Sequence, residues 1–188
     1  MCYYIYNMVI SNTKYIYMNI FYLHKDPVIA AKVQYNKHVV KMILESAQML
    51  CTAHHHYAEQ YDYDNSYIPY KKAHYNHPST IWTRESDEHY FWLFNHMVAL
   101  GKEYTKRYNK THLSINKCFL PLYRIPNGIP SNGFEQPPQC MPDEFKDECS
   151  VKAYWNYYIG EKYTVANKNE KIYEKADMET IRREYDIN

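Results

Sequence analysis

His38, Lys41, Glu45 and Gln48 recur at steps of three, four and three within "NKHVVKMILESAQML", residues 36–50, so on a helix they stack along one narrow line. The line carries a base, a cation, a carboxylate and an amide, and it continues through Thr52 toward His55. Val39, Val40, Met42, Ile43, Leu44, Ala47, Met49 and Leu50 would cover most of the remaining circumference. One reading is structural: Lys41 and Glu45, at i and i+4, form an ion pair on a solvated face. The other is chemical. Apolar flanks suit a cleft better than an open face, and charges taken out of water must be paired because desolvation is costly. In a cleft, a carboxylate between a histidine and a lysine is suited to steering protons or stabilising a developing cation.

A second stretch, "NHPSTIWTRESDEHYFWLF" at 76–94, adds Asn76, His77, Trp82 and Arg84. Pro78 forces an extended entry at His77, and Trp82 and Arg84 follow on a helical turn. Structurally, Trp82 is a core anchor and Arg84 a surface cation. Functionally, Asn76, His77 and Arg84 form a polar mouth near the stripe, with Lys106 and Arg107 in "KRYNK" offering phosphate contacts. "HHH" at 54–56 invites a metal, but adjacent helical histidines point about 100° apart and no HExxH or Cys/His framework accompanies them. The expectation is therefore no metal and no cofactor. A Gly-rich phosphate loop and a GxSxG elbow are also missing from the sequence.

The elements that must carry these residues read as helices. Asp26 then Pro27 is a helix opening, and the helical pattern runs toward Tyr61 with a break before Lys37. Residues 61–78 are rich in turn formers and predict an exposed loop; a second long helix starts near Ser86 and runs to about Asn109. Its expected core face is Tyr90, Leu93, Phe94, Met97, Leu100, Tyr104 and Tyr108. Six of the nine prolines lie between Pro121 and Pro142, which predicts a long structured loop. A further helix is expected over Val151–Ile159, ending at Gly160. No repeat or sheet pattern is seen, so the fold class is all-α. It should be one compact helical domain over 18–162, preceded by an extension at 1–17 and followed by a charged tail at 163–188.

The 188 residues carry 22 basic and 21 acidic side chains, a formal charge of +1, so any nucleic-acid site must be a local patch. The 23 tyrosines fit AT-rich coding and equally fit extra aromatic faces for base stacking. Five cysteines without a CxxC pair read as reduced, hence an intracellular protein, cytoplasmic or nuclear. The N-terminal stretch lacks the compact apolar region and cleavage site of a signal peptide and makes a poor membrane span.

Lys37, His38, Lys41, Glu45 and Gln48, then "NHP" with Trp82 after a loop, then the helix ending "YTKRYNK", together resemble the pyrimidine-dimer DNA glycosylase family, the phage-type endonuclease V enzymes. The resemblance covers about residues 19–110 and nothing in the C-terminal 78. It implies an all-α, virus- or phage-like DNA-repair enzyme that binds damaged or modified double-stranded DNA. Such an enzyme displaces a base and cuts the glycosidic bond, with AP-lyase activity following. An amine attacks C1′ to give an imine, and β-elimination then nicks the strand. Glu45 falls at the essential carboxylate, stabilising the cationic sugar and assisting proton transfer; His38 and Lys41 approach phosphates or orient it. Lys37, Gln48, Asn76, His77, Trp82, Arg84, Lys106 and Arg107 fall to DNA binding.

The family's nucleophile is the N-terminal α-amine, with a pKa of about 8. Here the matching region starts near Met18 or Asn19, behind a 17-residue extension. Either the extension is removed or folds back, or Lys41 supplies the amine, or lyase chemistry is absent. The resemblance thus predicts that Met18–Phe21 comes close to Glu45. Two other classes fit the same sequence: a non-catalytic nucleic-acid or virion-associated binding protein, and a base-modifying enzyme.

Overall fold

The computed structural model describes residues 18–163 and 182–183. The expected extension at 1–17 and nearly all of the expected tail lie outside the described residues. Six α-helices follow one another: α1 Pro27–Lys32, α2 Asn36–Tyr61, α3 Pro78–Glu85, α4 Asp87–Tyr108, α5 Leu113–Leu122 and α6 Ser150–Tyr157. A 3-10 turn at Asp143–Phe145 precedes α6, and a π-turn at Tyr158–Lys162 follows it. No strand occurs among the described residues, so the chain is all-α as expected.

Local chemistry explains the starts and stops. Asp26 Oδ1 accepts from Val28 N at 2.7 Å and Pro27 takes the first helical position, which opens α1. The chain turns at Val33–Tyr35 and restarts as α2, matching the expected break. His77 caps α3 through its ring, Nδ1 accepting from Ser79 N at 3.2 Å ahead of Pro78. His112 caps α5 in the same way, accepting from Ser114 N at 3.2 Å. α4 ends at Asn109, whose φ of 52° is a left-handed stop that asparagine tolerates.

α4 is the central helix, packed against α1, α2, α3 and α5. Tyr90, Leu93, Phe94, Met97 and Leu100 are buried along it, whereas Tyr104 is half-buried and Tyr108 exposed, so full burial of the expected core face stops about two turns early. Arg107 closes that end. It donates to Gln34 O at 2.7 Å, Asn36 Oδ1 at 3.0 Å and Lys32 O at 2.8 Å, and pairs with Glu103 at 3.2 Å.

Three elements differ from expectation. α5 runs into the expected Pro-rich loop: Pro121 lies in its last turn, where its missing N–H costs the helix only one bond near its end. The helix at the C-terminal end does not stop at Gly160. It widens into the π-turn, where a Cβ at Gly160 would lie 2.5 Å from the Phe145 ring. Finally, Met18–Leu23, "MNIFYL", which in sequence reads as a short strand or an extended lead-in, forms no strand and follows the second reading, but buried. All six residues are buried, an extended arm threaded through the core.

Candidate active site

That arm ends on the polar stripe of α2. Glu45 is buried, 6% exposed. One carboxylate oxygen, Oε2, accepts from the backbone nitrogen of Asn19 at 3.1 Å; the other, Oε1, pairs with Lys41 Nζ at 3.0 Å. Burial pushes the Glu45 carboxyl above the usual range, and Lys41, the Asn19 N–H and His74 oppose that shift without cancelling it. Lys41 itself keeps 56% of its side chain in solvent.

Asn19 is held from three sides. Its Oδ1 accepts from Ile20 N at 2.8 Å and Phe21 N at 3.2 Å, and its Nδ2 donates to Cys140 O at 2.9 Å on the Pro-rich loop. The next turn of the arm places Phe21 in the left-handed region, φ 52°, an unusual conformation for a bulky side chain. Its ring stacks on the His38 imidazole, centroids 4.3 Å apart and 16° from parallel. His38 Nδ1 in turn meets the Tyr158 hydroxyl at 2.5 Å, and Tyr158 stacks on Tyr35 at 4.7 Å. Burial, then Lys162, Lys41 and Lys37, hold the His38 pKa down to about 3, so the ring is neutral. The ring lies between the arm and the C-terminal segment, against Phe21 and Tyr158.

Further along the stripe, Gln48 is half-buried, and Thr52 pins the 62–77 loop to α2. The Thr52 hydroxyl donates to Gln48 O at 2.7 Å and accepts from Ala73 N at 3.1 Å. The three consecutive histidines diverge: His54 meets Tyr90 OH, His55 meets Tyr70 O, and His56 meets Tyr75 OH. Among the described residues no group of three or more His, Cys, Asp or Glu side chains could hold a metal.

The structure brings Glu45, Lys41, His38 and Lys37 onto one patch, but not all the expected DNA contacts. Trp82 is buried, its Nε1 donating to Glu135 O at 2.9 Å and its ring stacked on His89 at 4.5 Å, so it is a core anchor. Arg84 is buried as well, donating to Tyr75 O and Thr80 O and lying over the Tyr75 ring at 4.2 Å. Arg107 is spent on the α1–α2 corner. His77 is half-buried and committed to capping α3, while Asn76 stands exposed before it. Lys106 is exposed on the rim of a separate groove of about 580 Å³ between α4 and α5, floored by Val98, Ile115 and Phe119.

The expected approach of Met18–Phe21 to Glu45 is found at Asn19, while sequence reasoning missed the partners from the C-terminal part of the chain, Cys140 and Tyr158. No known protein family, characterised protein or solved structure matches this chain.

Proposed function

We propose that the chain is a DNA-processing enzyme, a glycosylase that excises damaged or modified bases from duplex DNA and nicks the resulting abasic site, with Glu45 as its catalytic carboxylate. One observation carries this reading: a buried carboxylate held between two nitrogens, Asn19 N at 3.1 Å and Lys41 Nζ at 3.0 Å. Glycosidic cleavage builds positive charge on the sugar, and a desolvated carboxylate opposes that charge more strongly than a solvated one.

The two nitrogens are not equivalent as nucleophiles. Lys41 is more than half exposed and ion-paired, a poor setting for a neutral amine. The Asn19 nitrogen is buried beside Glu45, but within an intact chain it is an amide, whose lone pair is delocalised into the Met18 carbonyl. In a chain beginning at Asn19 the same atom is an α-amine, with an ordinary pKa of about 8 and a usable neutral fraction. The amine attacks C1′, the C1′–N bond to the base breaks, and the base departs with the electron pair and gains a proton. Loss of a C2′ proton from the imine then expels the 3′ phosphate. Glu45 is placed to relay both protons.

Borohydride trapping on duplexes carrying damaged, modified or abasic nucleotides tests this directly, using the full chain and one that begins at Asn19. The shorter chain should form the adduct, with peptide mapping locating it at Asn19. Glu45→Gln should lower base release by about 10²–10⁴-fold, the usual size of such a contribution, without changing duplex affinity. Equal base release by that variant removes Glu45 from its assigned role. The internal commitment of Arg84 and Arg107 supports a second reading, a base-modifying enzyme with a smaller substrate; it requires a small-molecule donor for turnover and yields no trapped adduct.

A further inference from the structure

α5 runs back along α4 as the second arm of a helical hairpin. Tyr104 meets the His112 ring at 5.1 Å beside the turn, a Cβ at Gly101 would lie 2.7 Å from Ile115, and Phe94 meets Phe119 at 5.9 Å. The groove of about 580 Å³ follows this seam, with Val98, Ile115 and Phe119 as its apolar lining. Apolar surface continues beyond it. Ile115, Phe119, Tyr123, Leu120 and Leu113 succeed one another around about 160° of α5. Of these, Leu113, Tyr123 and Leu120 are 61%, 64% and 79% exposed. An apolar face of that breadth is ordinarily covered, by the core or by a partner.

The same groove carries charge of one sign. Lys102 and Lys106 line it from α4, both exposed and one turn apart, about 6 Å along the axis. Neither pairs with a carboxylate among the described residues. Acids are also scarce nearby in sequence: from His89 to Phe134 there are six lysines and arginines and a single acid, Glu103. Glu103 is itself buried and spent on Arg107 at 3.2 Å. In a chain whose formal charge is only +1, the hairpin is thus a local positive patch, and such a patch selects a negative partner.

We propose that the α4–α5 groove is a docking site for an acidic amphipathic helix of a partner protein. Such a helix packs leucine-like side chains spaced i, i+4 and i+7 onto Val98, Ile115 and Phe119. It sets carboxylates spaced i, i+4 against Lys102 and Lys106. The phosphates of a DNA duplex would meet the two lysines yet leave the apolar lining uncovered, whereas a third helix fills the seam and covers the apolar flank of α5. The apolar area supplies affinity; the lysines fix orientation and reject basic helices. Occupancy of the groove does not depend on the chemistry assigned to Glu45.

Fluorescence anisotropy with the full chain and a labelled synthetic helix of about 18 residues provides the test. The helix carries leucines on one face and glutamates along the edges of that face. Two counterparts carry lysines for the glutamates or serines for the leucines. The glutamate–leucine helix should bind, more weakly as salt rises, and neither counterpart should. Lys102→Glu combined with Lys106→Glu should lower that affinity about tenfold or more, while Lys117→Glu, on another face of α5, should leave it as it is. All three positions are exposed, and melting temperatures establish that the variants are folded; if the double variant is not, Lys102→Gln carries a smaller loss in the same direction. No binding of the acidic helix, or binding indifferent to the changes at Lys102 and Lys106, overturns the docking site. Tighter binding of duplex DNA or of phosphatidylglycerol vesicles through the same two lysines, or self-association that the double variant abolishes, overturns it in favour of a nucleic acid, a membrane or a second copy.

Discussion

Acidification from pH 7 to pH 5 should remove about 6 kcal/mol of folding stability, through three histidines that the fold keeps neutral. Burial is the first cause in each: it holds His38 down to about 3, and His54 and His96 down to about 4, against an ordinary 6.5. His96 is fully buried, with Nδ1 donating to Pro27 O at 2.9 Å and Nε2 facing Gln34 Nε2 at 3.0 Å, so charging the ring costs its desolvation. Between pH 4 and 6.5 the unfolded chain takes up a proton at each position and the native chain does not. Stability from these groups is thus complete above 6.5 and falls as pH falls toward the folded values. At pH 5 the loss is about 2 kcal/mol per histidine, from 1.36 kcal/mol for each pH unit below 6.5. The sum is comparable to the whole stability of an ordinary domain, about 5–15 kcal/mol. Glu45 acts in the opposite sense, since a carboxyl raised by burial stabilises the native state as pH falls. Urea unfolding followed by circular dichroism at pH 7, 6, 5.5 and 5 measures the slope. Equal stability at pH 7 and pH 5 would refute the argument, showing that the folded chain accommodates the protons.

Two further predictions concern elements that position the site. Arg107→Ala breaks four bonds at the α1–α2 corner and strands the largely buried Glu103, so it should cost about 3 kcal/mol and lower the melting temperature by roughly 6–12 °C; a melting temperature within 2 °C of the unmodified chain, on the order expected of a surface change, contradicts this. Gly160→Ala places a methyl 2.5 Å from the Phe145 ring and should destabilise by about 1–3 kcal/mol, with Phe145→Ala in the same chain restoring part of the loss. Additive losses in the double variant would show that the two residues do not compete for that space.

The helices around the stripe were legible because their signals are local. Asp26–Pro27, the break before Lys37, the turn-rich 61–78 and the start near Ser86 each depend on residues within one turn of the boundary. α5 was less legible because a proline in sequence ordinarily marks a helix boundary, and Pro121 lies inside the last turn of Leu113–Leu122. The stripe on α2 was legible as polar residues at helical spacing among apolar ones, a pattern that demands partners. Who the partners are is long-range information. Asn19 lies 26 residues from Glu45, and Tyr158 lies 120 from His38. Among 23 tyrosines nothing marks Tyr158 before the chain folds. Trp82 is buried as its core-anchor reading expects, whereas Arg84, read as a surface cation or part of a polar mouth, is buried against Tyr75, a long-range contact the sequence does not show.

The economy of Glu45 remains the strongest argument for chemistry at the patch. A carboxylate at that depth loses several kcal/mol of hydration, and it recovers one backbone N–H and one lysine that is itself mostly solvated. A well-packed apolar side chain of similar volume often does as well or better for stability. The burial that makes Glu45 a poor structural residue also raises its pKa, bringing the group toward the range in which it can both hold and release a proton. The arm that delivers the Asn19 nitrogen is strained in turn, with Phe21 kept at positive φ by its stack on a histidine that is itself held neutral. Strain of that kind costs on the order of 1–3 kcal/mol and persists where the surroundings over-determine it. Stability alone accounts for neither feature, and the proposed reaction at Glu45 would account for both.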